Sequence, residues 1–436
     1  MATDLFSRMV RVRQKFPVSP PLEVCAILQQ EFARLRPRLK PGARIAVAVG
    51  SRGISNLQTI VATVLELVQA AGAQPFIVPA MGSHGGATAE GQMELLAEYG
   101  ITETQLRVPF RAAMNVERPG TIADAVPVYF SAEALRADGI LLINRVKPHT
   151  DFESDIMGSG LLKMLVVGLG KHEGAANFHA ASIRLGQEQF IRAQARVVLQ
   201  TAPVLCGVAI VENQRHQTTA LTVLLPEEFE RREAELFVEA KRLMPRLPFD
   251  DIDLLIVDRM GKNLSGTGMD PAVIGRSVHG YSAQLNRPPE RRPHVRRLFV
   301  RDLTPESHGN GNGIGMADFT TARLVRALDL RKTYLNVLTS LSLNNAKIPM
   351  HFETDREAIT QALASLALRD PRRAKVVRIR DTQSLEWLEA SEAYTEVIQL
   401  DVNMERLGSL SSMAFGPDDN LLSWVGKPSD HAPALR

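Results

Sequence analysis

The sequence is poor in cysteine. Its two thiols, Cys25 and Cys206, lie far apart, so there is no CxxC pair and no thiolate cluster. This argues against a disulfide scaffold, a zinc ribbon or an iron–sulfur centre, and leaves each cysteine expected as a buried, reduced thiol. Long apolar runs are also missing. No stretch approaches the ~18–20 continuous apolar residues of a membrane span, and the opening residues (MATDLFSRMVRVRQKF) lack the apolar h-region of a secretory signal. The expectation is a cytoplasmic protein with no membrane partner. A strong charge of one sign is absent too: the formal net charge is +3 over 436 residues. The pI near 8.9 therefore does not argue for a nucleic-acid partner. The densest basic run, Arg287 to Arg297 (RPPERRPHVRR), is interrupted by prolines and Glu290 and reads as a solvated connector.

What is present fits a globular chain: 45% apolar and 23% charged residues, in a length that suggests more than one core. The first clear strand is Arg44–Val49 (RIAVAV), which runs into the polar turn Gly50-Ser51-Arg52-Gly53. A helical pattern over 56–71 follows, with Ile60, Val64, Leu67 and Val68 on one face. A strand at Pro75–Pro79 leads to Met81-Gly82-Ser83-His84-Gly85-Gly86, and a helix over 88–99 comes next. This alternation predicts a parallel sheet with crossover helices. Strands are predicted again at Gly139–Ile143 and Cys206–Val211, then a charged helix from Pro226 to about Leu243.

A proline-bounded stretch, Met244–Pro248, marks a domain boundary. Beyond it lie a strand at Ile252–Val257 with the Gly-rich loop Gly261–Gly268, a strand at Leu298–Val300, helices over 320–328 and 355–367, and a strand at Lys375–Ile379. The predicted architecture is two α/β domains with mainly parallel sheets and a cleft between them. The N-terminal domain spans 1–245, and the C-terminal domain, 250–400, closes the cleft. The segment 401–436 either frays or packs back on the N-terminal domain.

Open α/β sheets bind ligands at the carboxyl ends of their strands. Those ends carry Ser51 and Arg52; Ser83 and His84; Asn144, Arg145, Lys147 and His149; and Lys262, Asn263, Ser265 and Thr267. Cations and hydrogen-bonding groups in such number suit an anionic ligand. His84 has small neighbours that permit close approach, and His149 follows a proline that restricts its backbone. A single loop histidine is more often incidental. Two at strand ends of one sheet suit a paired acid–base role, because imidazole titrates near neutral pH. Lys163 lies in an apolar run between two glycine clusters (GSGLLKMLVVGLG), either snorkelling to water or held as a nucleophile. His172 and His179 follow at a spacing of two helical turns, although Gly174 argues against a continuous helix there. The loop Gly309–Gly315 (GNGNGIG) reads as a flexible surface turn.

Together these motifs resemble the lactate racemase family of nickel-pincer enzymes. GSHGGAT at Gly82–Thr88 is similar to the family's Gly-x-His loop, VKPHTDF at Val146–Phe152 to its Pro-His motif, and GSGLLKMLVVG at Gly158–Gly168 to its lysine-bearing segment. His179, sixteen residues after Lys163, falls where the family keeps its nickel-ligating histidine. The match covers roughly 40–180 by motif and the second half by architecture alone. The resemblance implies a racemase or epimerase of a 2-hydroxy acid that works by proton-coupled hydride transfer. Lys163 would carry a nickel-pincer nucleotide covalently, and His179 would ligate the nickel. His84 and His149 would be alternating bases. Ser51, Arg52 and Ser83 would contact the cofactor; Arg52, Lys262 and Arg276 are candidates for the substrate carboxylate. Its partners would be a small 2-hydroxy acid and cofactor-synthesis proteins.

The sequence departs from the family in three places. The stretch between His149 and Lys163 is about four residues longer than in lactate racemases and carries Asp151, Glu153 and Asp155. Val49 stands where the family often has Asp, and Val167 stands where a proline is expected. These differences favour a 2-hydroxy acid other than lactate. Two alternatives stand beside this reading. A nicotinamide-dependent 2-hydroxy acid dehydrogenase is disfavoured because no GxGxxG follows the first strand. A non-catalytic relative that binds a nucleotide or small acid would keep the fold without the reaction.

Overall fold

The computed structural model describes residues 6–51, 53–149, 154–278 and 293–423. Its strands, in chain order, are β1 (Met9–Gln14), β2 (Arg44–Val49), β3 (Gln74–Pro79), β4 (Val116–Thr121), β5 (Pro127–Ser131), β6 (Gly139–Arg145), β7 (Val204–Glu212), β8 (Thr218–Leu224), β9 (Asp251–Met260), β10 (His294–Leu303), β11 (Phe319–Thr321), β12 (Met350–Phe352), β13 (Val376–Ile379), β14 (Trp387–Ser391) and β15 (Met404–Ser411). The described chain divides into two compact units, one of residues 18–244 and the other of 6–17 with 245–423. Among the described residues no helix is long and apolar enough to cross a membrane.

The unit of residues 18–244 is built on a five-stranded sheet, ordered β3-β2-β6-β7-β8. All its pairings are parallel except β7 with β8. Strands covered on both faces are nearly continuous apolar runs, and IAVAV, after the exposed Arg44, and GILLI meet that demand. Ala46, Ala48, Ile140 and Leu142 point into one core, which also takes Leu161, Leu165, Phe190 and Phe237. Ile45, Val47, Leu141 and Ile143 point into the other, beneath the helices Val24–Phe32 and Leu57–Ala70. Cys206 is buried in this second core, and burial pushes its thiol well above the ordinary range, which makes it inert. Cys25, by contrast, is an exposed residue of the helix Val24–Phe32, with its sulfur 3.4 Å from the Thr63 hydroxyl of the helix Leu57–Ala70. The expectation of two buried thiols therefore holds for Cys206 alone.

The other unit carries an eight-stranded sheet, ordered β12-β11-β10-β9-β13-β14-β1-β15. The run from β12 to β13 is parallel, and β14, β1 and β15 extend it antiparallel. Together with the five-stranded sheet, this gives the α/β architecture with mainly parallel sheets.

Several sequence expectations change here. The N-terminal residues Met9–Gln14 form an inner strand of this second sheet instead of opening the first domain. Residues 401–423 also belong to this unit: β15 pairs with β1. The end of the described chain is tied to a buried ion-pair network. Arg301 Nη2 donates to Leu421 O (2.9 Å), Arg378 Nη2 to Leu422 O (2.8 Å), and Leu421 N to Asp355 Oδ2 (2.9 Å). Packing of the described tail on the first domain is thereby corrected, because three charged side chains satisfy its backbone groups at the second sheet.

Where a helix was expected over 320–328, Phe319 and Thr320 first pair with Met350 and His351 in the sheet. The helix is the shorter Ala322–Arg326, capped by the Thr321 hydroxyl on Leu324 N (3.1 Å). The tail of the basic run, from His294, is strand β10 and not connector; residues 287–292 lie outside the described part.

Gly309–Gly315 is not a flexible surface turn. Gly311, Asn312, Gly313 and Ile314 are buried, and the loop sits against the Gly261–Gly268 loop so closely that only glycine fits. A Cβ on Gly313, whose φ is +100°, would lie 1.8 Å from Thr267 O. We expect Gly313→Ala to cost on the order of 3 kcal/mol of stability, because backbone strain and a backbone clash coincide. Gly408→Ala, at φ +82° with nothing within 4 Å, should cost about 1 kcal/mol. Thermal and urea unfolding of the two variants checks the contrast.

Candidate active site

The order β3-β2-β6-β7 places the reversal of strand order between β2 and β6, where an open parallel sheet leaves a crevice at its carboxyl edge. Three chain segments meet at this edge: the turn after β2 with Ser51, the loop after β3 with Ser83 and His84, and the segment after β6 with Lys147 and His149. A fourth lies over them. It is the helical turn Leu161–Lys163, which runs on into the π-helical turn Met164–Gly168. Such π-helical turns are uncommon and concentrate at functional sites.

Each approach depends on glycine or on a backbone hydrogen bond. Lys147 and Ser159 exchange N–H···O bonds of 2.9 and 2.8 Å. A Cβ on Gly158 would lie 2.3 Å from Lys147 O and 3.0 Å from His149 N. Asn144 Nδ2 donates to Gly160 O at 2.7 Å, which fixes the lysine turn to the end of β6. At its other end Gly82 N donates to Gly168 O (3.1 Å), which joins the same turn to the His84 loop.

This geometry brings Lys163 and His149 together: the Lys163 amine hydrogen-bonds His149 Nε2. Lys163 Nζ also stands 6.0 Å from the centre of the Phe178 ring, a favourable place for a cation. The Phe178 ring is in edge contact with that of His179 at 5.1 Å. Lys163, His149 and His179 are all partly buried. In the His84 loop, Ser51 Oγ hydrogen-bonds His84 Nδ1, which orients the ring. Gln92 Nε2 donates to Gly82 O (2.9 Å) and His84 O (3.3 Å), so the helix Ala89–Glu98 holds the loop from behind. Ser83 is partly buried beside it.

His179 lies on the helix Lys171–Leu185, which is continuous through Gly174. The expected break there does not occur. Gly174 serves close packing instead: a Cβ would approach Val166 O at 3.2 Å, and one on the preceding Gly170 would reach it at 2.3 Å. His172, one residue into this helix, is exposed.

Arg52 lies outside the described residues. Lys262 and Arg276 belong to the other unit, and both have structural partners there. Lys262 Nζ donates to Gly266 O (2.6 Å) and Asn336 Oδ1 (2.8 Å). Arg276 donates to Val295 O and forms an ion pair with Asp318 at 2.9 Å.

Two buried ionisable groups escaped the sequence reading. Lys171 is fully buried and donates to Pro79 O at 2.7 Å, which ties the start of the His179 helix to the end of β3. Burial pulls its pKa down to about 8, with Glu133 opposing. Glu233, on the helix Phe229–Arg242, is 1% exposed. Its Oε2 accepts from Leu161 N (2.6 Å) and Leu162 N (3.2 Å), and so caps the turn that bears Lys163. Burial pushes its pKa up to about 7, opposed by these same two N–H groups. The signal was present in the sequence. Glu233 stands four residues from both Phe229 and Phe237, inside the buried stripe of an otherwise charged helix.

A raised carboxyl pKa has a definite consequence for stability. Between its ordinary value of 4.5 and about 7, the folded chain keeps a proton that the unfolded chain has released, so stability falls as pH rises through this window. Glu233→Gln removes the titration. The parent protein should lose stability relative to this variant from about pH 4.5 to about 7 and run parallel to it at higher pH. Urea midpoints measured across the range read this directly.

No family model and no curated protein matches the chain. Among solved structures it is similar to the lactate racemase apoprotein from Thermoanaerobacterium thermosaccharolyticum, with a TM-score of 0.52, 15% identity, and coverage of 86% of this chain and 99% of that one. The chain therefore shares the α/β fold of that protein.

Proposed function

We propose that the protein is a racemase or epimerase of a small 2-hydroxy acid. In this reading Lys163 carries a nickel-pincer nucleotide and His179 supplies the protein's nickel ligand. The observation that carries the reading is the meeting of Lys163 with His149, at the same sheet edge that bears a His84 ring oriented by Ser51.

The donor set fits such a group. Among the described residues no three His, Cys, Asp or Glu side chains gather as a metal site. A metal here would need most of its donors from a bound cofactor, with His179 adding one. The half-buried amine of Lys163 is the chain's point of attachment. When bound, the cofactor would supply a hydride acceptor and so avoid a carbanion beside a carboxylate.

The chain's residues would do the rest. His84 and His149 would take and return the hydroxyl proton on opposite sides of the substrate, which lets either enantiomer be served. Ser51, bonded to Nδ1 of His84, keeps that ring aimed and sets its tautomer. His149 Nε2 is engaged by the Lys163 amine in this structure. Acylation of the amine would remove its charge and leave that nitrogen for the substrate hydroxyl. Arg52 remains the candidate for a two-point grip on the carboxylate, and Lys262 and Arg276 are weaker candidates given their structural partners. Cofactor-synthesis proteins are the partners this reading requires, and a 2-hydroxy acid other than lactate is the preferred substrate class.

The test is to produce the protein together with cofactor-synthesis proteins, then measure nickel, the mass of the Lys163 peptide, long-wavelength absorbance and exchange of the α-hydrogen across a panel of 2-hydroxy acids. Loading with exchange supports the proposal. An unmodified Lys163 overturns it, and loading without exchange of any acid points to a binding protein. His84→Ala and His149→Ala should each lower exchange by about a hundredfold or more while the mass increment stays. His179→Ala should lower nickel retention with the organic increment still attached.

A further inference from the structure

The buried face of the helix Phe229–Arg242 reaches both halves of the Lys163–His149 pair. Glu233 Oε2 holds Leu161 N and Leu162 N, the two amides that open the lysine turn. One helical turn further on, Phe237 lies under Gly158, where a Cβ would stand 2.7 Å from its ring and 3.0 Å from His149 N. Glu233 Oε1 has no hydrogen-bond partner among the described residues, and a Cβ on Gly160 would lie 2.4 Å from it.

A carboxylate taken wholly out of water with one oxygen unsatisfied is costly. Its pKa is pushed up to about 7 in consequence. A glutamate that only filled space would be replaced by leucine or methionine at a gain in stability. Here it does something neither could do: it caps the start of the lysine turn from outside, at two N–H groups that the turn's own backbone leaves open.

We propose that Glu233 is a positioning residue that sets the Lys163 amine against His149 by clamping the amides of Leu161 and Leu162, with Phe237 as the floor under the His149 side. The inference rests on Lys163 being the reactive amine of the proposed function. Glu233, buried behind the turn, acts through these two amides and is assigned no contact of its own with a ligand.

Its test uses the full chain without cofactor, so it stands apart from the outcome of the loading experiment. The protein is treated with a small neutral isothiocyanate. The rate of modification at Lys163 is read by peptide mass spectrometry against the exposed Lys40. In the parent, His149→Ala should change the Lys163 rate by about tenfold, because the amine is held against that ring. In Glu233→Ala the same His149→Ala change should leave the rate within about twofold, since the pair is already apart. Glu233→Gln, which keeps an acceptor for the two amides, should restore the dependence on His149.

Gly160→Ala provides a second route that leaves Glu233 in place. Its methyl would push the carboxyl off the amides, and it too should uncouple the pair. If Glu233→Ala does not fold, the Gln and Gly160 variants carry the test. The proposal is overturned if His149→Ala alters the Lys163 rate equally with and without the clamp. It is overturned equally if the parent shows no dependence on His149.

Discussion

The candidate site depends on one constraint: how closely the backbone of 158–170 can lie over the carboxyl edge of the five-stranded sheet. Side chains larger than hydrogen at Gly158, Gly168 and Gly170 would meet main-chain atoms of Lys147, Ala80 and Val166 at 2.3 to 2.7 Å. Because those positions are glycine, one segment touches the end of β6, the loop after β3 and the start of the His179 helix at once. The meeting of Lys163 with His149, and the tie of the lysine segment to the His84 loop through Gly82 N and Gly168 O, follow from that contact, and no single loop could provide them.

The polar groups of this region show how such closeness is kept stable. The open turn of a short helix and the ends of three loops leave N–H and C=O groups to satisfy away from water. Asn144, Gln92, Lys171 and Glu233 satisfy them; the first two reach backbone atoms of nearby loops, and Lys171 and Glu233 reach atoms 92 and 72 positions away. Two of the four, Lys171 and Glu233, bear charges that burial disfavours, which is why their pKa values move toward neutrality from opposite sides. The second unit solves a comparable problem differently. Arg301 and Arg378 bracket Asp258 at 3.1 and 2.8 Å, and the same arginines hold the end of the described chain. Paired charges there serve the sheet and not a loop cluster.

Much of the fold was legible in the residues. The apolar runs that became β2, β3, β6, β7 and β9 announce strands buried on both faces, and the helix at Leu57–Ala70 follows its periodicity. The antiparallel extension by β14, β1 and β15 was not legible. These strands are short or lie far from the parallel core in sequence, and β1 finds both of its neighbours, β14 and β15, more than three hundred positions away. At the site, the residue types and their loops could be read, whereas Glu233 was lost in a helix that looked merely charged. Gly174 was misread for a related reason: a glycine that permits packing and one that ends a helix look the same in one dimension.

The sequence by itself determined where strands give way to polar, glycine-bearing loops, because the alternation of buried strand and crossover helix is a local pattern of apolar residues. It also determined which chemistries are on hand: an amine in an apolar run and imidazoles just beyond strand ends. Only the tertiary structure decided which of these groups meet. The neighbours of β2 are chosen by long-range packing of two cores, and the partner of a buried carboxyl is whichever backbone amide that packing brings within reach. Neither is written in the spacing of residues along the chain.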